Sequence, residues 1–165
     1  MDQFKRLFLS VRLSGAAAMP RFRIIFTSII IIASISIARA DDEVSLFNGA
    51  GKADAYIALS DELTIYLWSG KPVAYLEKDD SGGYHVYGFN GKHLGWFVKG
   101  IVRDHQGNPS CAVKEVLPST EYEPYKAYKQ YKPYKSYTQY SPSRPYFSSS
   151  FGDTCCQFLL ADGVK

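Results

Sequence analysis

Residues 46–113 contain four copies of one short pattern, each centred on a glycine. The residue five positions before each glycine and the residue six positions after it are apolar, and the residue four positions after it is small. The four glycines are Gly51, Gly70, Gly91 and Gly107. The four small residues are Ala55, Ala74, Gly95 and Cys111. A unit of this length is too short for two helices, whereas it fits a strand, a tight turn and a second strand.

The segments that flank the glycines are rich in aromatic and β-branched residues, which favour strands. Asn90-Gly91 is the strongest turn signal and predicts a type I′ turn, in which both central residues have positive φ. Pro72 and Pro109 lack an amide hydrogen and are expected at strand starts or edges. We therefore predict an all-β fold in which four β-hairpin repeats form a compact pseudo-fourfold arrangement, because a single hairpin is barely stable in water.

The small residue of each repeat shares a strand face with the apolar residue two positions later, because side chains alternate along a strand. If this face points to a shared axis, only Ala, Gly or Cys fits near the centre. One step beyond the small residue, three copies have an aromatic residue: Tyr56, Tyr75 and Trp96. Two interpretations of these rings stay open. They pack in the core, or they face outward and bind ligands as the aromatic hairpins of cell-wall-binding repeats do.

Four stretches carry a resemblance to a known family. They read LFNG at residues 46–49, IYLWSGKPVAYL at 65–76, VYGFNGKHLGWF at 86–97 and RDHQGN at 103–108. Over about residues 44–113 the sequence resembles the bacterial 4-fold beta flower domain. The resemblance implies four petal-like β units around a pseudo-fourfold axis, often followed by a low-complexity tail, and it implies no activity and no catalytic residues. The fourth copy departs from the pattern, with Ala112 in place of the aromatic residue.

The first 40 residues have the marks of a secretory signal peptide. An apolar, isoleucine-rich stretch at residues 24–38 follows Arg21 and Arg23 and precedes a small-residue cleavage site ending at Ala40. Met19 is an alternative start that gives a signal of ordinary length. We expect a periplasmic or extracellular protein. The alternative is an inner-membrane anchor formed by residues 24–38, although this stretch is short against the roughly 20 residues that span a bilayer.

Residues 118–165 form a Tyr/Lys/Pro/Ser-rich tail beyond a β domain at residues 41–117. Tyrosine recurs at every third position from Tyr122 to Tyr140, and a lysine follows four of these tyrosines. A period of three is that of polyproline II, so we expect a largely disordered or polyproline II tail with a tyrosine stripe beside a lysine stripe. The candidate binding residues here are Tyr125, Tyr128, Tyr131, Tyr134, Lys126, Lys129, Lys132 and Lys135.

Charge is distributed unevenly along the chain. Residues 41–165 hold 13 basic and 15 acidic residues, with a net +4 in residues 124–165. The basic tail suggests contact with an anionic envelope polymer or another envelope protein, and the alternative is a solvated spacer. Export argues against nucleic acid as the partner. A membrane partner is expected only if the signal segment stays uncleaved.

Few other residues suggest chemistry. His85, His93 and His105 lack metal-ligand spacing, the carboxylates are scattered, and the sequence predicts no metal and no cofactor. Cys111 is either a small buried residue or the partner of Cys155 or Cys156 in a disulfide. We therefore expect a non-enzymatic envelope binding or structural protein, and the alternative is a small envelope hydrolase acting on cell-wall polymer.

Overall fold

The computed structural model describes residues 42–152 and 154–165. The signal peptide, the alternative start and the alternative membrane anchor lie outside these residues. Ala38–Lys165 form one compact unit, so the β domain and the tail expected from the sequence belong together. Nowhere in the described ranges does a helix have the length and apolar character needed to cross a membrane.

Eight short antiparallel strands form a closed barrel in chain order, and β1 closes on β8 through the pair Phe47 and Ala112. The strands are β1 (Glu43–Phe47), β2 (Ala53–Ala58), β3 (Thr64–Leu67), β4 (Pro72–Asp79), β5 (Gly83–Gly88), β6 (His93–Val98), β7 (Ile101–Arg103) and β8 (Pro109–Ala112). The all-β, four-hairpin prediction is confirmed. Pro72 and Pro109 each begin a strand, where a missing amide hydrogen costs least.

The repeat pattern appears directly in the strand register. In each hairpin the apolar residue five before the glycine pairs with the small residue four after it. The four pairs are Leu46 with Ala55, Ile65 with Ala74, Val86 with Gly95 and Val102 with Cys111. The apolar and small side chains of these pairs belong to the core inside the barrel. An eight-stranded barrel is narrow enough for side chains to fill its interior, so the interior is packed rather than hollow.

The glycine turns have a different geometry from the type I′ turn expected at Asn90-Gly91. Gly91 has φ +84°, whereas Asn90 is not among the residues with positive φ. The amide of Gly91 donates to the Gly88 carbonyl and the amide of Gly88 donates to the Lys92 carbonyl, both at 2.9 Å. This is a longer loop in which one glycine in the left-handed region forms a bulge. Only the glycine therefore needs positive φ, and all four repeats share the arrangement.

A turn with positive φ at both central residues does occur, but between two hairpins. Lys99 and Gly100 have φ +49° and +78° and connect β6 to β7. Such a turn matches the twist of the strands that it joins. The prediction of a turn at Asn90-Gly91 is therefore confirmed, but its type is wrong, and the sequence analysis did not predict the turn at Lys99-Gly100.

Residues 118–148, here called the strap, run along the hairpin ends of the barrel without helix or strand structure. Seven backbone amides between Glu121 and Gly152 donate to carbonyls of the barrel. The tail therefore does not extend freely as the spacer interpretation expects. Its backbone polar groups find partners on the barrel, which offsets part of the entropy cost of ordering an extended chain.

The strap advances nine residues for each hairpin. The amides of Glu121, Gln130, Gln139 and Ser148 donate to the carbonyls of Gly51, Gly70, Gly91 and Gly107, at 2.8, 2.9, 2.8 and 3.1 Å. A Cβ atom on any of these glycines would meet the strap backbone, at residues 119, 128, 137 and 146. Positive φ and close approach thus both require glycine, and the repeat that shapes the turns also provides the docking points for the strap.

Residues 154–165, here called the plug, end the chain on the barrel core. Helix α1 (Cys156–Ala161) is followed by a 3₁₀ turn at Asp162–Val164. Cys156 forms a disulfide with Cys111, and Leu160 is fully buried among the barrel's interior residues. Cys111 is therefore both a buried small residue and a disulfide partner, while Cys155 is a free thiol.

Candidate functional site: the strap and the aromatic face beneath it

The aromatic residues of the repeats lie on the outer face of the barrel, opposite the small residues of the core. Tyr56 pairs with Tyr66 across β2 and β3, and their rings stack with centroids 5.4 Å apart. Tyr75 pairs with Tyr87 across β4 and β5 at 6.2 Å. Each pair joins two neighbouring hairpins and forms a cluster separate from the interior core.

These outward rings are nevertheless buried. Tyr56 and Trp96 are 1% exposed and Tyr75 is 5% exposed, because the strap and neighbouring side chains cover them. The Lys126 ammonium lies 4.8 Å from the Tyr56 ring centre, and the Lys135 ammonium lies 4.4 Å from that of Tyr75. Such cation–π contacts stabilise most when water is excluded. Tyr56 and Tyr75 are thus contacted by the protein's own tail, whereas Trp96 packs edge-on against His93 and His105.

The lysines of the strap also pair with carboxylates of the barrel unit. Lys126 and Lys129 contact the two oxygens of Glu43 at 2.5 and 2.7 Å. Lys132 lies 2.6 Å from Asp61, and Lys135 lies 3.1 Å from Glu62. Further along the strap, Arg144 pairs with Asp79. The four lysines of the predicted stripe therefore each pair with a carboxylate of the barrel unit.

The pKa values of the barrel residues reflect this pairing. Burial alone would raise the pKa of Asp61, but hydrogen bonds from Lys132 and Tyr66 outweigh it and lower the value. The pKa of Tyr66 is raised by burial and by the hydrogen bond that its hydroxyl donates to Asp61 at 2.5 Å. The hydrogen bond from Lys135 lowers the pKa of Glu62. The contacts beneath the strap thus favour ionised carboxylates and neutral phenols.

The strap tyrosines point away from the barrel into solvent. Their exposed fraction is 95–103%, so the other described residues leave these side chains almost entirely uncovered. This set, here called the tyrosine collar, comprises Tyr122, Tyr125, Tyr128, Tyr131, Tyr134, Tyr137, Tyr140 and Tyr146. The strap advances nine residues per hairpin, and tyrosine recurs at every third residue, so each hairpin has three tyrosine positions beside it. The one exception to this spacing is Ser143, which occupies a tyrosine position.

Open grooves border the collar. One of about 480 Å³ lies between Phe47 of β1 and the strap residues 120–126. Another of about 420 Å³ is lined by Tyr56 and Tyr128, and a third of about 400 Å³ by Pro72 and Tyr131. Volumes of this order accommodate small ligands or a short piece of a polymer.

The three histidines, which sequence spacing kept apart, form a hydrogen-bonded chain on the outer face. His85 Nδ1 lies 3.1 Å from His93 Nε2, and His93 Nδ1 lies 2.9 Å from His105 Nε2. Asp79 lies 3.7 Å from the far nitrogen of His85. Burial, followed by the neighbouring His105 and His85, lowers the pKa of His93 to about 4. His93 is therefore neutral at physiological pH and is able to donate one hydrogen bond while accepting another.

This chain is linked to the strap. The backbone amide of His93 donates to the Gln139 side chain at 3.2 Å, and Asp79 is shared between His85 and Arg144. The histidines lie on β5, on β6 and in the turn after β7, so only strand pairing brings them together. Among the described residues, no group of three or more His, Cys, Asp or Glu is placed to hold a metal ion.

Comparison with known proteins places this architecture in a family. The chain matches the model of the 4-fold beta flower protein over residues 44–160. It belongs to the 4-fold beta flower family. The match extends through the strap and into α1, beyond the residues 44–113 on which the sequence resemblance rests, so the strap is part of what the family model describes. The curated proteins and the solved structures contain no match to the chain.

A sequence signal for the strap register is present in this beta flower protein. Pro124, Pro133 and Pro142 are nine residues apart, as are Gln130 and Gln139. Because nine is a multiple of three, the nine-residue period is difficult to distinguish from the more conspicuous three-residue period of the tyrosines. No comparable signal links the three histidines.

Proposed function

We propose that this beta flower protein is an exported, non-enzymatic module of the bacterial cell envelope that binds envelope polymer through its tyrosine collar. The observation that supports this most is the full exposure of eight tyrosines on a strap whose backbone is tied to the barrel. Exposed aromatic surface on this scale is typical of interaction sites.

The arrangement favours binding in two ways. Tyrosine supplies a large ring and a hydroxyl at a low cost in side-chain entropy. The strap supplies a backbone that is already ordered, so binding does not have to order it again. The signal segment in the sequence supports the envelope as the place where this surface acts.

A pull-down with insoluble wall and outer-membrane fractions tests this function. The matched variant changes Tyr128, Tyr131 and Tyr134 to serine in the full chain. A truncation is unsuitable because it removes Cys156 and Leu160 from the core. We expect the wild-type protein to be retained and the serine variant to be released. Release of both proteins from every fraction would refute the proposal.

A small envelope hydrolase is the second candidate, and the histidine chain is the observation that favours it. A chain of hydrogen-bonded imidazoles leading from exposed His105 through buried His93 and then His85 toward Asp79 is able to relay a proton. The test is release of soluble fragments from purified wall polymer by the wild type and by His105→Gln. Release by neither protein, or equal release by both, would contradict this alternative.

A further inference from the structure

We propose that the ligand of the tyrosine collar is an uncharged, β-linked glycan strand that lies along the strap and stacks sugar rings on successive tyrosines. This inference rests on the proposed function and deepens it, because it assigns the class of polymer. It replaces the anionic polymer that the lysine-rich sequence suggests.

The charge of the strap argues for an uncharged ligand. Each lysine between Lys126 and Lys135 already contacts Glu43, Asp61 or Glu62, and Arg144 contacts Asp79. An anionic polymer would have to displace these carboxylates or leave them unpaired, which costs free energy where the carboxylate is buried, as at Glu43 and Asp79, whose side chains are 10% exposed. Residues 41–165 also carry a net charge of −2, so the long-range field does not attract an anion.

The geometry of the collar argues for a linear, repeating ligand. The rings recur at every third residue of a strap that has no helix or strand structure, and a polyproline II backbone, whose period is three, would anchor adjacent rings about 9 Å apart at roughly 3.1 Å per residue. This is comparable to the length of a disaccharide in an extended β-linked chain, where every second sugar presents the same face. A compact ligand would reach one ring, whereas an extended strand meets several.

The chemistry of the rings argues for sugar. A pyranose with equatorial linkages exposes flat faces of C–H groups, which pack on the electron-rich face of an aromatic ring, while the phenol hydroxyl exchanges hydrogen bonds with sugar hydroxyls. The groove beside Tyr122 and Tyr125 adds the side chains of Thr120, Glu121 and Glu123. Hydroxyl and carboxylate oxygens of this kind accept hydrogen bonds from sugar hydroxyls.

The test is titration of residues 38–165, which contain the whole compact unit, with soluble hexasaccharides. The probes are β-1,4-linked chitohexaose and cellohexaose, and the control is α-1,4-linked maltohexaose, whose coiled chain does not present flat faces in a line. We expect tyrosine ring signals in NMR spectra to shift with the β-linked probes, and the affinity to stay constant as salt is raised.

Two variants identify the residues responsible. Replacement of Tyr128, Tyr131 and Tyr134 by serine should weaken binding by about tenfold for each ring removed. Replacement of the same three residues by phenylalanine keeps the rings and should retain most of the affinity. Because all three side chains are fully exposed, both variants should fold as the wild type does, and far-ultraviolet circular dichroism checks this.

The other outcomes are distinguishable. Retention on wall fractions without binding of either β-linked probe would refute the glycan assignment and leave the envelope-binding function intact. Binding that disappears with salt would favour the anionic polymer instead. Binding that the serine variant keeps in full would place the site elsewhere. No binding of any fraction or probe would refute both proposals.

Discussion

Gly70 lies so close to the backbone carbonyl of Tyr128 that a Cβ atom at this glycine would overlap it. The strap amide two residues later, that of Gln130, donates to the carbonyl of Gly70 at 2.9 Å. The same contact recurs at the other three repeat glycines with a nine-residue step along the strap. The glycine that the turn geometry requires in each repeat is thus also the residue on which the strap docks.

Gly70→Ala should destabilise the protein more than Gly82→Ala does. Both glycines have positive φ, at +79° and +85°, but nothing lies within 4 Å of a Cβ atom at Gly82. The Gly82 variant should therefore lose about 1–2 kcal/mol from backbone strain alone. The Gly70 variant should lose at least about 3 kcal/mol, because steric overlap with the strap adds to the strain. Urea unfolding monitored by circular dichroism measures both, and equal losses would contradict a docked strap.

Ala74→Leu should destabilise the barrel by about 1–3 kcal/mol through overpacking. Ala74 is fully buried and pairs with Ile65 inside the barrel, where three other repeats contribute their own side chains. Ala127→Leu on the exposed side of the strap is the matched control and should change the stability little. Thermal unfolding of both variants provides the comparison. An Ala74→Leu variant that melts like the wild type would show that the interior has unused space.

The register of the barrel could be predicted because its signal is periodic and local. The offsets that place Leu46 opposite Ala55 also place Val102 opposite Cys111, so one rule describes four hairpins. Closure of β1 on β8 depends on a single pair across 65 positions, Phe47 and Ala112, and no local pattern encodes it. The sequence therefore predicted the units and their symmetry, while the barrel itself required the structure.

The site was harder to predict because its contacts join distant parts of the chain. The Lys126 ammonium contacts Glu43 and the Tyr56 ring, so its charge serves internal contacts that composition alone assigns to an external partner. The strap is also held through backbone amides, which every residue except proline has, so these hydrogen-bonded positions have no distinctive side chain. The tyrosines of the collar were visible in the sequence, because their period of three does not depend on what the strap packs against.

Acidification should destabilise the protein through His93. The pKa of His93 is lowered from 6.5 to about 4 in the folded state, so the unfolded chain binds a proton more readily between these values. The stability that neutral His93 contributes is complete above pH 6.5 and is lost progressively as the pH falls toward about 4. Below that value the loss levels off, and each unit of difference in pKa corresponds to about 1.4 kcal/mol.

His93→Gln is the control for this pH dependence. Glutamine retains hydrogen-bonding capacity but does not titrate, so the variant should lose less stability than the wild type over the same pH interval. Urea midpoints measured at several pH values for both proteins give the difference, in which the shared titration of the carboxylates largely cancels. Parallel curves for the two proteins would show that His93 is not protonated on unfolding.

Removal of the disulfide should release the plug and weaken the whole unit. The bond between Cys111 and Cys156 closes a loop with a sequence separation of 45, for which chain entropy predicts about 4 kcal/mol. The loop contains the entire strap, so the double variant Cys111→Ser/Cys156→Ser should unfold at a lower denaturant concentration.

Hydrogen exchange of the backbone amides gives a second measurement. In the double variant, strap amides should exchange with solvent faster than barrel amides, because the strap buries fewer apolar side chains. Cys155→Ser leaves the bond in place and should match the wild type in both measurements. A Cys155→Ser variant as unstable as the double variant would mean that Cys155, and not Cys156, holds the plug to the barrel.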